Sequence, residues 1–283
     1  MKTVVITGAT SGIGFETASL LTEKGYEVIG IGSSAESCSS AEKQLLLRNP
    51  SAQVRFFNAD LMQLSEVSRI AKVLKEDLEA HCGNLYALIN NAGCVRSWYM
   101  TTAEGYEQQF SLNFLAAFLL TYELMPMLKK SRGRVIMTGS KSHKGVNVHW
   151  DDVMLSKCYN PLLAYKQSKL CDTLFAKGLN DMFAAKGIRA YVVDPGLVKT
   201  DIGNKKTGAL VNSIWSFRKH FGKDPSVPAK TYAFLCEQEI EPKGFYYHNC
   251  RENAYSKAVT SENAARLFKL SERLCGIRYG EVF

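Results

Sequence analysis

None of the eight cysteines in this 283-residue chain stands in a C-x-x-C pair, and none lies beside histidine at metal-ligand spacing. That speaks against zinc ribbons, zinc fingers and dithiol redox centres, and no metal is expected. Several of the cysteines lie in apolar helical contexts, where a free thiol packs as a small hydrophobe, which suits a reducing, cytoplasmic location. No signal peptide is expected, because the first strand begins almost at Met1. The longest apolar stretch, around Leu112 to Leu120, is too short for a bilayer and holds Asn113, so no membrane span is expected either. Internal repeats, low-complexity tracts and a linker long enough to split the chain are all missing. The formal net charge is +8, but Lys and Arg are scattered, and the densest pairs are only Lys129-Lys130 and Lys205-Lys206. Without a basic-aromatic module, nucleic acid is not an expected partner.

What is there is an ordinary globular composition, 46% hydrophobic and 22% charged, in a regular β-α alternation. Thr3-Val4-Val5-Ile6-Thr7 is short, apolar and β-branched, as a strand buried on both faces should be. Glu27 to Ile31, Val54 to Asn58, Leu85 to Ile89, Arg134 to Thr138, Arg189 to Val193 and Phe245 to Tyr247 follow as further strands. Helical spacing occupies Phe15 to Lys24, and a long helix is predicted from about Glu104 to Lys130. This alternation predicts one α/β domain over residues 1–283: a doubly wound, parallel sheet of seven strands with helices on both faces. Its ligand crevice should lie at the carboxyl ends of the strands.

Two motifs fall at such ends or on the helices after them. Gly8-Ala9-Thr10-Ser11-Gly12-Ile13-Gly14 joins the first strand to the first helix. Glycine permits a sharp turn and close backbone approach, and a helix N-terminus offers free N–H groups to a pyrophosphate. Tyr165 is the only one of thirteen tyrosines with lysine four residues later, Lys169, which puts both side chains on one helical face. A phenol serving as general acid/base near neutrality must ionise about three pH units below its ordinary ~10, a preference of about 4 kcal/mol, and a neighbouring cation contributes to that.

Together these residues resemble the short-chain dehydrogenase/reductases. The resemblance rests on Thr7 to Gly14, Asp60-Leu61, Asn90-Asn91-Ala92-Gly93, Asn113, Ser140, Tyr165 with Lys169, and Pro195-Gly196, and it covers nearly the whole chain. Within the family the likeness is to the retinol dehydrogenase and WW-domain oxidoreductase branch. It is carried by Trp150-Asp151-Asp152, Ala164 to Leu170, Gly244 to Tyr247, and Ala265 to Phe268 with Leu270 to Glu272. The chain departs from that branch at Cys171-Asp172, where Ala-Asn is usual, and at Gly139, where Ser is common, and the N-terminal membrane anchor of many members is not expected here.

The resemblance implies a Rossmann-type fold and hydride transfer between a nicotinamide cofactor and a carbonyl or alcohol. Tyr165, Lys169, Ser140 and Asn113 are then the catalytic set. Tyr165 exchanges the proton, Ser140 hydrogen-bonds the substrate oxygen, Lys169 grips the ribose, and Asn113 holds a water relay behind Lys169. Gly8, Ser11, Gly12, Ile13, Gly14, Ser33, Asp60, Leu61, Asn90, Ala92, Gly93, Pro195, Gly196, Val198 and Thr200 are the cofactor-binding positions, shared with Tyr165 and Lys169. Asp60 should accept from the adenine amino group and Thr200 should bind the carboxamide. At the end of strand two, Gly32-Ser33-Ser34 offers no carboxylate to favour NAD, so NADP(H) is favoured, with NAD(H) usable.

Residues from about 200 to 225 are expected to form a substrate lid presenting Trp215 and Phe217, and residues 261–275 a C-terminal helix. His143, His149 and Trp150 fall where the family builds its substrate wall. The substrate is read as a small, hydrophobic or aromatic carbonyl/alcohol compound, and the protein as a monomer or homodimer. Enone reduction or other chemistry on the same scaffold, and a non-catalytic NAD(P)-binding regulator, are the alternative functions.

Overall fold

The computed structural model describes residues 1–81, 83–199, 222–238 and 242–282. Eight strands form one sheet in the order β3-β2-β1-β4-β5-β6-β7-β8. They are β1 (Thr3–Thr7), β2 (Glu27–Gly32), β3 (Val54–Asn58), β4 (Ala87–Asn90), β5 (Arg134–Thr138), β6 (Arg189–Val193), β7 (Tyr246–His248) and β8 (Arg251–Glu252). The first seven pair in parallel. The predicted seven-stranded sheet is therefore present, with one addition. After β7 the chain reverses through Asn249 (φ 48) and Cys250 (φ 60), and β8 pairs antiparallel on the edge. Two successive positive φ values define a tight hairpin turn, usually signalled by glycine, and none is present here.

The helices are α1 (Gly12–Glu23), α2 (Ala35–Arg48), α3 (Leu64–His81), α4 (Gln108–Ser131), α5 (Pro161–Phe183), α6 (Ser226–Glu237) and α7 (Ser261–Cys275). Helix α1 packs against α2 and α6, while α3 packs on α4 and α7 on α5. Every residue of β1, β2 and β4 is buried, as their near-continuous apolar runs require between two helical layers. The chain runs outward from β1 through β2 to β3 and returns on the other side of β1 as β4. That reversal opens a crevice at the carboxyl ends of β1 and β4.

Helix α4 is long and apolar enough to cross a membrane by length and composition, but 78% of its most apolar window is buried inside the fold. Its aromatic side chains account for much of that. Phe114 and Phe118 meet Phe175 of α5, Phe268 of α7 and Tyr279, with Phe118 ring centres 5.2, 5.3 and 4.8 Å from those of Phe175, Phe268 and Tyr279. The Tyr279 hydroxyl donates to the Phe118 carbonyl at 2.7 Å. Gly178 is what lets α7 approach: a Cβ there would lie 2.4 Å from the Phe268 ring. The predicted C-terminal helix thus lies against α5 and, through Phe268 and Tyr279, reaches α4.

Candidate active site

The turn after β1 is built for close approach. Gly8 and Gly12 have φ of +67° and +55°, and a Cβ on Gly14 would lie 2.2 Å from the Gly8 carbonyl oxygen and 2.6 Å from Asn91 Nδ2. Asn91 binds the turn from β4: its Nδ2 donates to the carbonyls of Thr7 (3.0 Å) and Gly8 (3.3 Å). Thr7 Oγ1 in return accepts from the N–H groups of Asn91 and Ala92, both at 2.9 Å. The exposed N-cap, Ser11, makes no side-chain cap bond, and the first turn of α1 carries no acidic residue. The N–H groups of that turn are thus free of an internal anion, and the cradle fits a pyrophosphate. Ile13 packs against the core beneath it.

The expected adenosine side lies along the neighbouring strand ends. Asp60 is exposed just past β3, with Oδ1 accepting from Met62 N (3.1 Å), and Leu61 is buried next to it. Asn90 is turned inward instead. Its Nδ2 donates to Thr121 Oγ1 (3.2 Å) and reaches Met137 Sδ (3.4 Å), so its side chain ties β4 to α4 and only its backbone remains near the crevice. Ala92 and Gly93 are partly buried. Ser33 is exposed, whereas Ser34 caps α2, accepting from Ser37 N at 3.2 Å.

Ser140, Tyr165, Lys169 and Asn113 come from three elements. Helix α5 starts at Pro161, behind an N-cap Asn160 whose Oδ1 accepts from Leu162 and Leu163 N, both at 3.0 Å. One turn later it presents Tyr165, half-buried, and one turn beyond that Lys169. Lys169 Nζ donates to the Thr138 carbonyl at the end of β5 (2.8 Å) and to Asp172 Oδ2 (2.9 Å), and stands 6.0 Å from the Tyr165 ring centre. Gly93, past the end of β4, keeps this corner open, because a Cβ there would lie 3.1 Å from Asn113 Oδ1 and 3.9 Å from Lys169 Nζ.

Asn113 lies in a single π-helical stretch, Ser111–Leu115, inside α4. Such widened turns are frequent at functional sites. Its side chain is fully engaged: Oδ1 accepts from Cys94 N (2.7 Å), and Nδ2 donates to Cys94 O (3.1 Å) and Ser168 Oγ (2.9 Å). Ser140 follows β5, and its Oγ accepts from both Ser142 N (3.2 Å) and Ser142 Oγ (2.9 Å). With two bonds accepted, its own proton is left to donate. Gly139 before it has no room for a side chain, since a Cβ would lie 2.4 Å from Val192 Cγ1.

Burial holds the His143 imidazole below its ordinary titration range. Its Nδ1 sits 2.6 Å from the Ser140 carbonyl and its Nε2 accepts from Ser256 N at 3.0 Å. It therefore works as a neutral buried clamp, not as substrate wall. Trp150 stacks under the Arg266 guanidinium of α7 at 4.5 Å, and His149 is exposed. After β6, Pro195 is partly buried, Gly196 has φ +71°, and Gly196 N donates to Asp194 Oδ1 (2.9 Å). Val198 bridges to Lys223. Thr200 and the expected lid residues Trp215 and Phe217 lie outside the described residues. Sequence reasoning missed Asp172 as the partner of Lys169, although its position three residues on, one helical turn, was visible. The Thr138 carbonyl and the Cys94 backbone carry no side-chain signal and could not have been found.

A parallel doubly wound sheet, a glycine cradle over a helix N-terminus and a Tyr-Lys pair on one helix together define a class of nucleotide-dependent oxidoreductase. The sequence profile of the short chain dehydrogenases matches residues 2–210. Retinol dehydrogenase 13 of Mus musculus is 34% identical over 288 residues, spanning 98% of this chain and 84% of that protein. The crystal structure of a putative uncharacterized protein from Mycobacterium paratuberculosis superposes with a TM-score of 0.76 at 27% identity, over 99% of this chain and 95% of that one. An alcohol dehydrogenase from Thermococcus sibiricus, complexed with 5-hydroxy-NADP, shares the fold at a TM-score of 0.68 and 18% identity, over 90% and 100% of the two chains. The chain belongs to the short chain dehydrogenase family, on its retinol dehydrogenase side, and is an NAD(P)-dependent oxidoreductase of alcohols and carbonyls.

Proposed function

We propose that this protein interconverts a carbonyl and an alcohol on a small hydrophobic substrate, with Tyr165 as acid/base and NADP(H) as the favoured cofactor, NAD(H) being usable. The observation that carries the reading is the position of Lys169 Nζ, bonded to the end of β5, close to Gly93 and 6.0 Å from the Tyr165 ring centre. A nicotinamide dinucleotide, when bound, supplies the hydride chemistry. Gly8, Ser11, Gly12, Ile13 and Gly14 would hold its pyrophosphate. Asp60, Leu61, Asn90, Ala92 and Gly93 would line its adenosine, and Pro195, Gly196, Val198 and Thr200 its nicotinamide.

In reduction the Ser140 and Tyr165 hydroxyls donate to the substrate oxygen, and the Tyr165 proton moves onto it. In oxidation the Tyr165 oxygen takes that proton back. The Lys169 ammonium favours the phenolate over the phenol, and Asn113 fixes the loop after β4 against α5. Preference for NADP(H) is supported at the end of β2. A Cβ on Gly32 would lie 2.4 Å from Thr10 Cγ2 and 2.7 Å from Cys38 Sγ, so an NAD-selecting carboxylate has no room there. The retinol dehydrogenase relative supports an apolar alcohol as substrate. The lodging of α7 and Tyr279 against α5 and α4 favours a monomer over a homodimer through that face, and the free cysteines suit the cytoplasm.

Fluorescence titration with NADPH and NADH, then a screen of apolar aldehydes with NADPH, tests this reading. NADPH should bind more tightly, and Tyr165→Phe should keep cofactor binding while losing on the order of 10²–10⁴ in turnover. A folded protein that binds neither nucleotide, or a Tyr165→Phe variant with full turnover, would overturn it.

A further inference from the structure

We propose that Asp172 is a positioning residue of this centre, its carboxylate holding the Lys169 ammonium and setting how much of that positive charge acts on Tyr165. This deepens the reading above and rests on its assignment of Tyr165 and Lys169. Both partners lie on α5 three residues apart, with Nζ 2.9 Å from Oδ2, and their side chains are only 5% and 1% exposed. The second carboxylate oxygen, Oδ1, is buried without a hydrogen-bond partner among the described residues. An (i, i+3) ion pair on a wet helix face is a minor ornament of helix stability. A dry pair with one orphaned oxygen is different: it is harder to maintain than an apolar pair of the same size. A carboxylate kept there at that cost, touching the Lys169 ammonium beside Tyr165, is explained by what it does to that ammonium.

Among the described residues, the surroundings leave Asp172 as the carboxylate facing Lys169. Cys94, from the loop after β4, faces Lys169, and burial pushes its thiol up to about 12. Cys171 on α5 and Tyr232 on α6 face Asp172, and both are held protonated by burial. Tyr246 on β7 and Tyr232 face Tyr165, and burial likewise holds Tyr246 protonated. Asp194 at the end of β6 acts on Tyr232, Tyr246 and His143, and its Oδ1 accepts from Gly196 N. Burial opposes the Lys169 charge, but Asp172 and Tyr165 more than offset it and hold the ammonium above its ordinary range. Burial also pushes Asp172 up to about 6, so near neutrality it is ionised and opposes the Lys169 field at Tyr165.

Asp172→Asn removes the charge and keeps the shape, with the amide oxygen left to accept from Nζ. Asp172 Oδ2 lies 2.9 Å from the Nζ that stands 6.0 Å from the Tyr165 ring centre, and a unit charge in that neighbourhood, at an effective dielectric near 20, moves a titration by about one pH unit. The experiment is the pH profile of alcohol oxidation and carbonyl reduction by wild type, Asp172→Asn and Tyr165→Phe, beside their thermal stabilities. With Asp172→Asn the rising limb of oxidation should move about one unit to lower pH, and reduction above that limb should slow by up to about tenfold. A merely structural pair would change the melting temperature and leave the profile unmoved. If Asp172→Asn does not fold, Asp172→Ser, which leaves space for a water, carries the same comparison. An unmoved profile in an active, folded variant, with Tyr165→Phe inactive, overturns the role of Asp172 alone. An active Tyr165→Phe overturns the assignment of the centre instead.

Discussion

Replacing Lys169 with Met removes the ammonium and leaves Asp172 buried and alone. In the wild-type protein the Asp172 carboxyl is pushed up to about 6 by burial, and Lys169 works against that rise. Without Lys169 the carboxyl must rise further. A carboxyl whose folded-state pKa lies above its unfolded value makes folding less favourable at every pH where it is ionised, and the penalty disappears as pH falls through the folded pKa. Leaving one partner of a buried pair uncompensated costs about 3–5 kcal/mol. For a chain of this length, with an unfolding entropy of about 2.1 cal/mol/K per residue, about 4 kcal/mol corresponds to roughly 7 °C in Tm. Lys169→Met should therefore melt roughly 7 °C below wild type at pH 8, and the gap should narrow as pH falls from 8 towards 6, where the wild-type carboxyl also takes up its proton, and stay level below that. The double variant Lys169→Met/Asp172→Asn should recover most of the loss at pH 8. Thermal melts of the three proteins between pH 5 and 8.5 measure this. A pH-independent gap, or no recovery in the double variant, would refute the claim that a buried, coupled charge pair lies beneath Tyr165.

Three further substitutions probe the cradle and the C-terminal seal. Gly14→Ala places a methyl against the Gly8 carbonyl and Asn91, so NADPH affinity should fall at least about tenfold. Gly280→Ala, where a Cβ meets nothing within 4 Å, should leave the nucleotide titration unchanged. Phe268→Ala empties the ring that fills the notch at Gly178 and contacts Phe118, Phe175 and Tyr279, and should cost about 3–5 kcal/mol in denaturant unfolding. A loss near zero would show that α7 is not packed as described.

The strands at Thr3–Thr7, Val54–Asn58, Arg134–Thr138 and Arg189–Val193 have the bounds expected from their apolar runs. Those runs are local, and a strand between two helical layers leaves few other uses for them. β4 was harder: Leu85 and Tyr86 continue its hydrophobic pattern but precede the paired strand, because hydrophobicity marks burial and pairing depends on the neighbour. The hairpin to β8 was illegible because Asn249-Cys250 carries no glycine. The π-turn at Ser111–Leu115 was illegible because it depends on what Asn113 reaches across the fold.

The same division runs through the site. The glycine turn and the Tyr165–Lys169 spacing are properties of short stretches of chain, so the sequence alone determined them, and with them the family. Tertiary structure decided what each polar group meets: Asn90 turned into the α4 layer, His143 clamped neutral between Ser140 and Ser256, and Trp150 laid under Arg266. Lys169 and Asp172 stand three residues apart in any reading of the chain. Their burial together at the end of β5 comes from the packing of α5 on the sheet, and only that burial turns an ordinary helical pair into a strongly coupled one.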